Sequence, residues 1–177
     1  MNQVYIDPVW LTHLEKPARY IGGEWNSVVK DPDSVDVRVA LAFPDVYEVA
    51  MSHLGLKIIY SVVNRRDDAL AERVYAPWVD MEALMKEKKL PLYTLESRAP
   101  VREFDVLGFT LPYEMCYTNV LNMLHLAGIP LRAKDRGEED PIVAAGGPCV
   151  YNAEPVADFF DCFFIGEAEE SMGEFIE

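Results

Sequence analysis

The sequence predicts a doubly wound α/β domain, and three observations support this. Short runs that are apolar almost throughout recur along the chain, and the first, at residues 37–43, reads VRVALAF. Segments with apolar residues at helical spacing separate these runs, as at residues 54–65. A Pro or Gly follows most of the runs, which is typical of turns. Runs of this kind indicate strands buried on both faces, and their alternation with helices indicates a parallel sheet.

The pattern assigns each element in chain order. We expect five strands, at residues 37–43, 73–76, 106–111, 142–145 and 162–165, and a short extra strand at residues 92–95. We expect helices at residues 54–65, 78–89, 118–127, 154–159 and 167–176. Gly128 is suited to end the third of these helices, because glycine readily adopts the left-handed backbone found there. The spacing favours the flavodoxin-like strand order 2-1-3-4-5, with 3-2-1-4-5 as the alternative.

Residues 1–35 differ from the rest of the chain. They contain Pro8, Pro17, Gly22, Gly23 and Pro32 among polar clusters. Such residues interrupt regular structure, so we expect an N-terminal strap with at most a short helix near residues 8–15. The α/β domain then occupies residues 36–177.

Composition narrows the classes of function. The chain has 30 Asp and Glu against 16 Lys and Arg, for a net charge of -14. Such a surface repels phosphate backbones, which argues against nucleic-acid binding. No apolar run is long enough for a membrane span, and residues 1–10 do not resemble a signal peptide. We therefore expect a cytoplasmic protein without a membrane partner.

The candidate site lies beyond the carboxyl ends of the predicted strands, where open parallel sheets bind ligands. Eight residues in these connections are candidates for holding a cofactor: His53, Gly55, Thr110, Gly146, Gly147, Pro148, Gly166 and Glu167. The pair Gly146-Gly147 would let the backbone approach a ligand closely, although an ordinary tight turn explains it equally well. His53 precedes a helix, where a histidine is more often a cap than a ligand.

Other chemistries have no support in the sequence. It contains no Walker loop and no GxGxxG motif, and no Lys lies near Gly166 to bind a phosphate. Cys116, Cys149 and Cys162 are too widely spaced for a zinc site or an iron–sulfur cluster. No catalytic residues can be assigned from these patterns.

An ordered set of motifs does resemble a known family. Gly146-Gly147-Pro148, Asn152, Glu154-Pro155 and Asp161, followed by FIGEAE at residues 164–169, resemble a run in cobalamin-binding-domain radical S-adenosylmethionine proteins. In that family the run reads GGPH-x-x-x-NPE and ends in GEGE. The segment LGLKIIY at residues 54–60 resembles the start of the family's first helix.

The resemblance implies the N-terminal, cobalamin-binding-type domain of a larger radical S-adenosylmethionine enzyme. In the family, a downstream barrel carries CxxxCxxC, which holds a four-iron four-sulfur cluster that cleaves S-adenosylmethionine. This chain lacks that triplet. We therefore expect a truncated chain without turnover of its own, with the cluster and S-adenosylmethionine only in a downstream domain that is its partner.

Two roles for the domain remain open at this stage. The first is binding cobalamin, for which related mutases use Asp-x-His-x-x-Gly to ligate cobalt. Here His53 lacks that Asp, and Gly55 comes one residue early. The second role is a degenerate, cofactor-free scaffold that packs on the barrel and shapes substrate access. A flavin or nucleotide role in the flavodoxin manner is weaker, since no phosphate loop follows the first strand.

Overall fold

Five parallel strands form the sheet that the sequence predicts. The computed structural model describes residues 3–177. The strands are β1 (Val37–Phe43), β2 (Ala69–Tyr75), β3 (Val106–Thr110), β4 (Ile142–Gly146) and β5 (Cys162–Phe163). Their order is β2-β1-β3-β4-β5, and every pairing is parallel. The doubly wound class and the flavodoxin-like order are thus confirmed, and 3-2-1-4-5 is wrong.

Six α-helices accompany the sheet in the described part of the chain. They are α1 (Pro8–Leu11), α2 (Tyr47–Ser52), α3 (Leu54–Asn64), α4 (Val79–Lys88), α5 (Tyr117–Ala127) and α6 (Ala168–Ile176). Gly128 ends α5 with a φ of 69°, in the left-handed region that favours glycine. No helix within residues 3–177 has the length and apolar character that crossing a bilayer requires.

Each face of the sheet is covered by a different pair of helices. Along β1, Val39, Leu41 and Phe43 face a cluster that contains buried residues of α3 and α6. Ala40 and Ala42 face the opposite cluster, which contains buried residues of α4 and α5. Alternate side chains of a strand point to opposite faces, so β1 is buried on both. This explains why its sequence is apolar almost throughout.

Several predicted boundaries are corrected. β2 begins at Ala69, not at residue 73: Glu72 interrupts the apolar run in the sequence, although the strand is buried at every position. Residues 92–95 form no strand, and only an isolated antiparallel bridge joins Tyr93 to Pro100. The predicted helix at residues 154–159 is a 3-10 helix, and β5 ends at Phe163. The short helix α2 was missed.

The edge strand β2 is covered by the segment that follows α4. The N–H of Arg73 donates to the Glu96 carboxylate at 2.8 Å, and the Arg73 carbonyl accepts from Leu95 N–H at 2.8 Å. Buried Glu72 accepts from the Ser97 hydroxyl at 2.6 Å and also from Thr94. Bare strand edges invite pairing with other chains, so this cover prevents such contact.

A buried ion pair anchors that cover. The Arg73 Nε lies 2.6 Å from Glu96 Oε1, and the two side chains are 7% and 0% exposed. Glu24 of the strap contributes a second carboxylate at 3.5 Å from Arg73. Charges that leave water must be paired, so Glu96 holds both the edge cover and Arg73 in place.

The strap is packed against the domain. Val4, Ile6, Leu14 and Tyr20 are buried in the cluster that contains α4 and α5. Lys16 and Arg19 both pair with Glu48 of α2 at 2.9 Å. The hydrogen bond from Arg19, followed by that from Lys16, lowers the pKa of the Glu48 carboxyl to about 2. Residues 1–2 of the predicted strap lie outside the described residues.

Replacing Glu96 with Leu will destabilise the domain, because Arg73 loses its shortest ion pair while buried. Removing one partner of a buried ion pair costs about 3–5 kcal/mol of stability. We expect a loss of about 3 kcal/mol, because the Glu24 carboxylate still lies 3.5 Å from Arg73. Urea unfolding will measure the loss. The control is Glu87→Leu, which removes a carboxylate that is 68% exposed and should change stability by less than about 1 kcal/mol. Equal effects of the two substitutions would contradict this account of the edge.

Candidate functional site

A cavity opens at the carboxyl edge of the sheet, between the strands and the helices α3 and α6. Its volume is about 230 Å³. Seven of the eight predicted site residues line it: His53, Gly55, Thr110, Gly146, Gly147, Gly166 and Glu167. The topology brings them together, because parallel strands end at one edge. Pro148 is the exception, since it begins the 3-10 helix Pro148–Asn152 and is exposed outside the cavity.

Two glycines in the middle of the sheet, which have no side chains, leave the room for this cavity. Gly108 lies on its wall at a position where a Cβ would touch Leu41 Cδ2 at 3.7 Å. A Cβ on Gly146 would touch Phe164 at 3.7 Å. Both positions face α3 and α6, whose side chains close the opposite wall. The apolar lining includes Leu41, Leu56, Ile59, Phe164 and Met172, none of which sequence reasoning had placed at the site.

His53 caps α3. Its Nδ1 accepts a hydrogen bond from the N–H of Leu56 at 3.2 Å, which satisfies one of the free donors at the helix start. Since Nδ1 is an acceptor, the proton of the neutral ring lies on Nε2. Burial lowers the pKa of His53 below its usual value, which keeps the ring neutral. The ring also packs on Phe43, with centroids 5.0 Å apart.

The fold itself requires Gly147. Its φ is +98°, and a Cβ there would lie 3.0 Å from the Leu111 carbonyl oxygen. A bulky side chain at Gly147, which lines the cavity, would therefore disturb the fold as well as the site. Gly166 also has a positive φ, of +105°, but a Cβ there would meet no atom within 4 Å. Gly166 leaves open space at the mouth of the cavity.

The charge around the cavity is negative. Glu167 and Glu169 are its charged residues, and no Lys or Arg is among the residues that line it. Both carboxylates lie at the start of α6, where the positive end of the helix dipole stabilises them. A wall without a cation binds phosphate poorly. The polar groups available to a ligand are Nε2 of His53, the Thr110 hydroxyl and these two carboxylates.

These residues do not fit a cobalamin whose cobalt is bound by His53. Coordination through Nε2 would require its proton to move to Nδ1, which would break the hydrogen bond to Leu56. The cavity of about 230 Å³ is also smaller than the ~300–1,000 Å³ pockets that enclose drug-sized ligands. A corrin ring is larger than this cavity and would have to lie outside the cavity.

Exposed apolar side chains surround this edge. At least one follows each strand: Val49 and Leu54 after β1, Trp78 and Val79 after β2, Met115 after β3, Tyr151 after β4 and Ile165 after β5. We call these seven residues the apolar rim. Leu54, Met115 and Ile165 are 69%, 84% and 70% exposed.

Metal chemistry has no support in the described chain. Within residues 3–177, no group of three or more His, Cys, Asp or Glu side chains is arranged to hold a metal ion. Cys116 is buried, while Cys149 and Cys162 are half-buried, and all three are free thiols.

Replacing His53 with Leu will destabilise the domain by about 1 kcal/mol, the usual value of a helix cap, whereas His53→Asn will retain the cap. The wild-type stability should also depend on pH. A lowered pKa in the folded state means that the contribution of His53 is complete above about pH 6.5 and decreases as the pH falls below it. Chemical unfolding between pH 7.5 and 5 will test this difference. Identical pH profiles for wild type and His53→Asn would contradict the cap.

Comparisons with known proteins agree with the motifs. Residues 55–177 match the family described as radical SAM proteins, N-terminal. An uncharacterized protein of the archaeon Methanocaldococcus jannaschii is 28% identical over 136 residues, which cover 75% of this chain and 24% of that protein. The chain thus spans about a quarter of the length of this curated relative. No solved structure matches the chain. Because the matched residues make up most of the chain and contain four of the five strands, this protein belongs to the family of radical SAM protein N-terminal domains.

Proposed function

We propose that this domain is a cofactor-free accessory domain of a larger radical S-adenosylmethionine enzyme. Its carboxyl edge would pack against the radical-generating domain and shape the entrance for substrate. The iron–sulfur cluster and S-adenosylmethionine would be held by that other domain. The observation that carries the proposal is the apolar rim, which places exposed apolar side chains after all five strands.

The rim has the properties of an interface. Single exposed apolar residues are ordinary, whereas an apolar group gathered on one surface marks a contact with another protein or domain. Tyr151 in the rim is 76% exposed, and aromatic side chains and Met are enriched in interfaces. The relative from Methanocaldococcus jannaschii is about four times as long as the matched region, which supports the presence of a further domain to cover the rim.

The cavity determines which chemical groups this edge could accept. It lies at the same edge of the sheet as the rim and offers an apolar wall with Nε2 of His53 as a hydrogen-bond donor. Its carboxylates would repel anionic groups and its small volume would exclude large ones. Packed against a catalytic domain, such a wall would select among substrate groups without contributing a reacting atom.

Cobalamin binding is the alternative function, because seven predicted residues line one cavity at the expected edge. We predict that hydroxocobalamin mixed with the chain at micromolar concentrations will keep its free visible spectrum, since His53 is engaged as a cap. Equilibrium dialysis will detect any binding that leaves the spectrum unchanged. A spectral shift that His53→Asn removes would contradict the proposal and establish a cobalt–histidine bond.

Hydrogen exchange in the parent protein tests the docking. We expect backbone amides in α2 and at residues 113–117 to exchange more slowly in the parent than in the isolated chain, because the second domain covers the rim. Replacing Leu54, Met115 and Ile165 with Glu should abolish the difference. The matched control is Ile142→Glu at the opposite edge, where the side chain is 46% exposed. Exchange at the rim that is the same in both proteins would contradict docking.

A further inference from the structure

A second concave surface lies between the strap and α3. This strap groove has a volume of about 480 Å³ and shares no lining residue with the cavity. It is lined by four residues of α3 and by the residue that caps its end: Lys57, Tyr60, Ser61, Asn64 and Arg65. The spacing i, i+3, i+4, i+7 and i+8 places these five residues on one face of the helix. The strap supplies the opposite wall, including Glu24 and Trp25.

The strap groove has more cationic than acidic side chains, whereas the protein as a whole is acidic. Three cationic side chains, those of Lys57, Arg65 and Arg73, line it together with one carboxylate, that of Glu24. The chain as a whole has 16 cationic and 30 acidic side chains. Another depression, at the amino edge of the sheet, is acidic like the chain as a whole: two arginines and five carboxylates line it. Because Arg73 is paired with Glu96 and Glu24, the excess positive charge of the groove comes from Lys57 and Arg65.

Two of its cations are free to meet a ligand. Within residues 3–177, neither Lys57 nor Arg65 has an acidic side chain within ion-pair distance. The Glu24 carboxylate, by contrast, is engaged by Arg73 at 3.5 Å and is 11% exposed. Lys57 and Arg65 are eight positions apart, which is ~12 Å along the helix axis. Negative charge entering the groove would meet unpaired cations before it met Glu24.

An aromatic surface stands beside these cations. Trp25 is 97% exposed, although tryptophan side chains are highly buried on average. The floor below is rigid: the Arg73 guanidinium lies over the Tyr60 ring at 4.6 Å and donates to Ser27 at 3.0 Å. The Tyr60 hydroxyl accepts from Val28 N–H at 2.7 Å, which fixes the strap against α3. A flat ring could stack on Trp25 without any rearrangement of this floor.

From these contacts we infer that the strap groove binds a nucleotide, with its base on Trp25 and its phosphate between Lys57 and Arg65. Exposed aromatic rings beside cations are the combination that binds nucleotide units. The volume of about 480 Å³ suits one ligand of this size. A free nucleotide fits better than a strand, because the net charge of -14 repels a polyanion as it approaches. The site is independent of docking at the carboxyl edge.

NMR titration of the ¹⁵N-labelled chain with AMP tests this site. The chain has three tryptophans and hence three indole N–H signals, which Trp25→Phe will assign. We expect AMP to shift the Trp25 signal saturably and to leave those of Trp10 and Trp78 in place. Trp25→Ala should weaken binding about tenfold, as loss of one stacked base does. Lys57→Glu/Arg65→Glu should weaken it at least as much.

The control is Lys89→Glu/Lys134→Glu, which changes the net charge equally at two lysines outside the groove and should leave AMP affinity within about twofold. Equal loss in this control would contradict a local site, as would the absence of a Trp25 shift at millimolar AMP. Inorganic phosphate that binds as tightly as AMP would contradict the role of the ring. Tighter binding of oligothymidylate than of AMP would contradict a free nucleotide and assign the groove to single-stranded nucleic acid.

Discussion

Burial of the sheet on both faces is the constraint on which the rest of this structure depends. Val39, Ala40 and Ala42 are fully buried, so helices must lie above and below β1. Strands covered in this way run parallel and are joined by helical crossovers, which begin at one edge of the sheet and return to the other. Every strand-to-helix connection therefore shares the carboxyl edge. The cavity, the His53 cap and the apolar rim lie together for this reason.

The same arrangement leaves one edge strand in need of cover. β2 lies beside β1 at the end of the sheet, and its charged residues Glu72 and Arg73 are buried there. The segment around Glu96 pairs with both the backbone and the side chain of Arg73. The strap adds Glu24 and Ser27 to the same guanidinium. The buried Arg73 thus holds the segment that covers the edge of the sheet, and it also holds the strap that forms one wall of the strap groove.

Elements whose signals are local could be predicted from the sequence. The apolar run of β1 and the glycine that ends α5 each follow from a few neighbouring residues. The start of β2 could not, because Glu72 resembles a surface residue unless its distant partners Thr94 and Ser97 are known. The strand predicted at residues 92–95 is wrong, since a single backbone hydrogen bond and several side chains, rather than a ladder, join this segment to β2.

The candidate site shows the same division. Its glycines and His53 could be predicted because the end of an apolar run marks the end of a strand in the sequence, and these residues follow such ends. The constraint on Gly147 could not, since it comes from the Leu111 carbonyl, a contact between the ends of two strands. Met172 gave a weak signal, as it lies on the buried face of α6 with Ile176. No local pattern joins Trp25 to Lys57 and Arg65, which only the packing of the strap brings together.

The role proposed for the carboxyl edge turns on what covers the apolar rim in the parent protein. An experimental structure of that protein, with this domain and the radical S-adenosylmethionine domain that we propose beside it, measures this directly. The account predicts that Leu54, Met115 and Ile165, now 69%, 84% and 70% exposed, will be buried against the second domain, with the cavity facing its substrate entrance. Rim side chains that stay exposed to solvent, or a second domain packed on the amino edge, would contradict it.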